Sequence, residues 1–201
     1  MLRHLKTLAV AAFILAGAAI APPALAGTIG VGPTGLNLNA GLQGDVTNTD
    51  ALGSSKRVFN STFPLSLTGG TNAGQVDTFY AVQVTIAASS TSTIDLNGSA
   101  IDGFGNTVSF LHVKFILLAA SAGNTNDCQI GPGATNPFAG PWSGTTPLTA
   151  VSPGETLLIT KGQGSSAGWA VTAATGDIIK LANSSSGSSV TCTVYLAGTS
   201  T

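Results

Sequence analysis

The stretch "FYAVQVTIA", Phe79–Ala87, sets Tyr80, Val82, Val84 and Ile86 on one side and Phe79, Ala81, Gln83 and Thr85 on the other. That period of two is what a pleated strand with one buried face requires. The pattern repeats on both sides of it. Upstream, "RVFNSTFPLSL" alternates, with Phe59, Phe63, Leu65 and Leu67 sharing a side. Downstream come "TSTIDL", the long run "VSFLHVKFILLAA", then "ETLLIT", "GWAVTA", "DIIKLA" and "VTCTVYLAG". Clusters of Gly, Asn, Ser and Pro separate these runs, and "GPGATNPFAGPWSGTTP" and "NSSSGSS" read as loops. Many short strands without intervening helices predict an all-β fold, an antiparallel β-sandwich or jelly roll. It is expected to occupy residues 51–201 as a single domain. Residues 27–50, "GTIGVGPTGLNLNAGLQGDVTNTD", are Gly- and Asn-rich with a weak alternation at Leu36, Leu38 and Leu42. They read as a flexible segment, an edge strand, or an arm that pairs with a neighbouring subunit.

Residues 1–26 read as an address. "MLRHLK" supplies a basic start with Arg3 and Lys6, "TLAVAAFILAGAAIA" an apolar run, and Ala24-Leu25-Ala26 a small-residue cleavage triplet. The run is shorter than the ~20 residues a spanning helix needs, so a secretory signal cut after Ala26 is expected, leaving no membrane span. Taking 26 from 201 residues leaves 175, and Arg3 and Lys6 go with them, so five basic residues face eight acidic ones. Charged residues are only 7% of the chain, against ~25% in an average domain. With no basic patch, nucleic-acid binding through phosphates is excluded as a class. So little charge also gives weak repulsion between copies, which suits self-association or a Ser/Thr-rich exterior.

Cys128 and Cys192 both lie in the exported part, where two thiols are expected to form a disulfide. Cys192 shares a side with Val190, Val194 and Leu196, and Cys128 with Ile130, so both point inward in a strand reading. No C-x-x-C and no Cys/His cluster supports a zinc site.

The segment "DLNGSAIDGFGNTVSFLHVKF", Asp95–Phe115, holds the polar residues that most resemble a site. As a calcium loop it would use Asp95, Asn97 and Ser99, but Ala100 and Asn106 occupy the positions where Gly and Glu belong. Asp95, Asn97, Asp102 and Asn106 are therefore at most a weak cation loop. "LNGS" and "DGFGN" are turn signals, and the turn reading is preferred. His112 is read on an alternating strand with Phe110, Lys114 and Ile116, without the nucleophile elbow a triad needs. Paired carboxylates among Asp95, Asp102 and Asp127 could serve glycoside hydrolysis, yet each sits beside or within two residues of Gly or Asn, where turns place aspartates. No catalytic residue, metal or cofactor is assigned. Trp169 reads as core, and Trp142, in the long Pro/Gly loop, as an interface residue.

The order of "FPLSLTGGTNAGQVD", "STIDLNGSAIDGFGNTVSFLHVKF", "AASAGNTN", "VSPGETLLI" and "AVTAATGDIIKLANSSSGSSVTCTVYLAG" resembles a family of small β-sandwich proteins encoded in phage and prophage genomes. The likeness runs from about Leu36 to Thr201 and rests on turn-and-strand patterns. It implies a virion or surface structural protein and no functional residues. The signal and the paired cysteines depart from that family and fit a version carried to the cell exterior. The expectation is a secreted, non-enzymatic structural or adhesive surface protein that associates with itself, another surface protein or a glycan. The alternatives are a virion component and a carbohydrate- or calcium-binding module.

Overall fold

The computed structural model describes residues 36–50, 53–101, 105, 107–161 and 167–200, with the backbone alone over 37–50 and 53–64. The leader and cleavage point expected from the sequence lie outside the described residues. The strands are β1 (Leu36–Asp50), β2 (Gly53–Gly69), β3 (Gln75–Val76), β4 (Thr78–Ile86), β5 (Thr91–Asp95), β6 (Asn97–Ile101) and β7 (Thr107–Ser109). They continue as β8 (His112–Ala120), β9 (Cys128–Pro132), β10 (Thr149–Val151), β11 (Thr156–Thr160), β12 (Trp169–Ala170), β13 (Ile178–Asn183) and β14 (Val190–Thr199). No helix occurs among the described residues.

Two antiparallel sheets form the body. The first has the order β11-β8-β14-β4, with the two-residue β12 also pairing β8, and the second the order β10-β9-β13-β5. From β4 onward the chain passes back and forth between them; only β9–β10 and β11–β12 follow one another within one of the two, while β6 and β7 pair with each other in a small sheet of their own. That arrangement of eight main strands is a jelly roll. The facing sides supply one core: Tyr80 and Ile86 from β4, Val113, Ile116 and Leu118 from β8, Ile130 from β9, Ile179 and Leu181 from β13, Val194 and Leu196 from β14. The alternation of β14 works as the sequence implies. Val190, Cys192, Val194 and Leu196 are buried, while Tyr195 on the opposite side is 37% exposed.

Cys128 of β9 and Cys192 of β14 are joined by a disulfide, with Cα atoms 6.1 Å apart. Since β9 and β14 belong to different sheets, the bond staples the two layers through the core, and both residues are fully buried.

β1 and β2 pair in unbroken antiparallel register from Leu36↔Leu67 to Asp50↔Gly53, and β2 then pairs in parallel with β3. Leu36, Leu65 and Leu67 at the foot of this hairpin, with Val76, cover Phe115, Leu117 and Ala197 on the outer side of the first sheet. That sheet is thus apolar on both sides over part of its area, and this is why "FILLAA" lacks a polar alternation.

"VSFLHVKFILLAA" divides where the sequence reads one strand. β7 pairs β6, the chain turns at Phe110-Leu111, and β8 starts at His112 in the first sheet. Leu96 O and Thr199 O accept the N–H groups of Phe110 and Leu111, which fixes the turn. The alternation expected through His112, Lys114 and Ile116 fails for a second reason. Ala197 pairs Phe115 but Gly198 pairs Val113, so Lys114 is an extra residue in β8, a β-bulge. The bulge lets Val113 and Ile116 face the same core while Phe115 and Leu117 face the other.

Gly198 sits opposite this bulge, and a Cβ there would overlap the backbone carbonyl oxygen of His112. Gly198→Ala is therefore expected to destabilise the fold by about 2 kcal/mol, the cost typical of forcing atoms into a packed site. A urea titration that gives an unchanged midpoint would show that β8 and β14 move apart at no cost.

Candidate functional site

The polar residues singled out in the sequence are occupied with backbone. The Asn97 N–H donates to Asp95 Oδ1 at 2.9 Å, and Asn97 Nδ2 donates to Phe110 O at 3.3 Å. Ser109 Oγ donates to Asn97 Oδ1 at 3.2 Å. Asp95 and Asn97 thus shape the corner between β5 and β6, with Gly98 at φ +142°. Asp102 and Asn106 lie outside the described residues. Among the described residues, no three of His, Cys, Asp and Glu come together as metal ligands do.

Trp142 is half-buried against the main core. Its ring meets Phe138 edge-on at 6.4 Å, and Nε1 donates to Thr149 Oγ1 at 3.3 Å. Trp169, also half-buried, carries the Lys161 ammonium 5.8 Å from its ring centre. His112 stands at the first position of β8 between Ala170 of β12 and Thr199 of β14.

The acidic side chains follow a common rule. Asp77 Oδ1 accepts from the Ser200 N–H at 2.9 Å, Glu155 Oε2 from the Ser152 N–H at 3.2 Å, and Asp177 Oδ2 from the Ala174 N–H at 2.6 Å. With Asp95, four carboxylates each accept from a backbone amide, three of them at a bend and Asp77 across to the end of β14. Asp127 takes part through its own backbone, its N–H donating to Ser184 Oγ at 2.9 Å.

Two polar clusters carry more of the structure than their sequence suggests. Asn183 is buried, and its Nδ2 donates to Ser188 O at 2.8 Å, Ala87 O at 3.2 Å and Ile86 O at 3.3 Å. Asn126 Nδ2 donates to Asn183 Oδ1 at 3.0 Å and lies within reach of Ser185, Ser186 and Ser188 carbonyls. The Ser-rich loop after β13 is thereby held by amides, in place of the contacts its small side chains cannot make.

The second cluster centres on Lys114, the bulge residue, which is 1% exposed. Its Nζ donates to Gln75 O at 2.6 Å, at the start of β3, and to Asn72 O at 2.8 Å, in the turn between β2 and β3. Burial pulls its pKa below the ordinary lysine value, and the charge of Asp77 opposes that pull. The sequence does contain a signal for this residue: one lysine inside a long apolar run must find partners or leave the strand alternation. Strand alternation alone assigns it no role.

Comparison with known proteins returned no match: no family model, no curated protein and no solved structure is similar to the chain.

Proposed function

We propose that the chain is an exported, non-enzymatic structural or adhesive protein of the cell exterior that assembles with itself. The observation that supports this most is the use of the carboxylates. Asp95, Glu155 and Asp177 each accept from a backbone amide at a bend, and Asp77 from the Ser200 amide beyond β14, whereas catalytic carboxylates converge on a shared reacting atom. The low charge of the chain and the disulfide that ties the sheets together agree with an oxidising exterior and with close packing between copies.

The test has two parts. N-terminal sequencing of the product expressed with residues 1–26 is expected to begin at Gly27, and an intact Met1 end on secreted protein would sink the export reading. Light scattering on the product at several concentrations is expected to show oligomers, and a monomer throughout would remove the assembly claim.

One observation favours a second reading. Jelly rolls of eight strands recur in viral capsid domains, and also in lectins. A virion component is therefore the alternative, though a fold alone does not carry a function. Capsid or tail genes beside this one would favour it.

A further inference from the structure

We propose that two copies of the chain join through the outer edge of β4, extending the first sheet across a two-fold axis at Gln83. This deepens the self-assembling reading and rests on it by naming the surface.

The argument begins with the four edges of the jelly roll. β10 has three residues, β5 has five and ends on Asp95, and β11 has five and is flanked by Glu155 and Lys161. Short edges and flanking charges are the usual protections against strand addition. β4 has nine residues, "TFYAVQVTI", with no charge, no proline and an unbroken register against β14. Asp77 precedes it, but that carboxylate is turned to the Ser200 amide. The other side of β4 has no strand partner among the described residues.

The burial of β4 locates the contact. Thr78, Phe79 and Tyr80 are half-buried or buried, and so is Ile86, whereas Ala81, Gln83 and Thr85 are exposed and Val82 and Val84 only half-buried. Val82 and Val84 belong to the core-facing side, so apolar surface of the core reaches the solvent along this edge. An antiparallel copy centred on Gln83 pairs Val82 with the second copy's Val84, and Ala81 with its Thr85. β-branched residues then oppose each other on the core side, as stable cross-strand pairs do. On the outer side the two Gln83 amides meet and can hydrogen-bond. The interface is self-complementary, as a two-fold axis demands, and it closes the edge to further addition.

Four chains test this: the wild type, Gln83→Lys, Gln83→Cys and the control Thr156→Cys. Gln83 is exposed, and its side chain makes one long hydrogen bond, Nε2 to Thr193 Oγ1 at 3.4 Å, so neither change threatens the fold. Wild type is expected to sediment as a dimer. Gln83→Lys places two ammonium groups together and should weaken the dimer at least about tenfold. Gln83→Cys should give a covalent dimer under mild oxidation, while Thr156→Cys on the opposite edge should not. A dimer that resists Gln83→Lys, together with a Gln83→Cys chain that stays uncross-linked, overturns this inference and leaves self-assembly standing by another surface. A monomer at all concentrations overturns both.

Discussion

Replacing Cys128 and Cys192 together by alanine is expected to cost about 4 kcal/mol of folding stability, the value that chain entropy assigns to a loop of this size. The bond closes a separation of 64 residues and connects the two sheets, which share no strand pairing. The native layers are held to each other by side-chain packing, by side-chain hydrogen bonds such as those from Asn183 to Ile86 and Ala87, and by this one covalent link. Without it the unfolded chain regains the freedom of the whole segment from β9 to β14, while both sheets keep their hydrogen bonds. Each alanine also leaves the volume of a sulfur atom empty in a fully buried position. Chemical denaturation of the oxidised wild type beside the double variant measures the difference. A loss under about 1 kcal/mol would mean that the packed layers need no staple.

The second large effect is expected at Lys114. Its ammonium group serves two carbonyls, in the β2–β3 turn and at the start of β3, that help carry the β1–β2 hairpin foot against the sandwich. Hydrogen bonds to a charged donor contribute about 1.5–3 kcal/mol each, less the cost of removing the charge from water. Lys114→Ala loses both bonds and the packing of the stem, and a cost of about 3 kcal/mol follows. Lys114→Met keeps most of the stem and should recover part of it.

The pH dependence separates the charge from the packing. A lysine whose folded pKa lies below its unfolded one binds fewer protons when folded, so its contribution to stability rises with pH. The rise runs from the lowered folded value up to the ordinary lysine value of 10.5. Tyr80 acts in the opposite sense. Burial raises its pKa above 10.0, so the folded state holds a proton that the unfolded state releases, and stability falls above about pH 10. Stability should therefore climb through the alkaline range and turn down near pH 10. Lys114→Met should abolish the climb and keep the fall. An unchanged climb in that variant would assign it to another group.

How much of this was legible in the residues depended on whether the signal was local. The strands came from alternation, as with Val190, Cys192, Val194 and Leu196 in β14, because a half-buried strand writes its environment into every second position. The disulfide was legible for the same reason, since both cysteines fall on inward positions. The turn at Asp95–Gly98 was legible from Asn-Gly chemistry. The break at Phe110-Leu111 was not. Phe110 is buried at the turn, so the apolar run continues through it, and only the distant carbonyls of Leu96 and Thr199 mark the break. Nor was the bulge at Lys114, since an inserted residue is defined by its partner strand some eighty positions later. Trp142 reads as an interface residue in sequence, and the structure places its ring against Phe138 and Thr149. The role of Asn126 and Asn183 stays hidden because amides in a Ser/Asn-rich chain look alike until the carbonyls around them are placed.

The position of β14 has a consequence for biosynthesis. It lies between β8 and β4, so these two strands have no direct pairing and meet only through a segment made some seventy residues after β8. As the chain is threaded out of the ribosome or through a membrane, β8 can pair β11 and β12, but β4 and the other side of β8 must wait, with their hydrogen-bonding groups unmatched, for residues 190–199. Folding is then late and all at once, paced by distant contacts rather than local ones. A polypeptide stopped before Val190 is a natural substrate for chaperones and proteases, because its half-built layers offer unpaired strands to any neighbour.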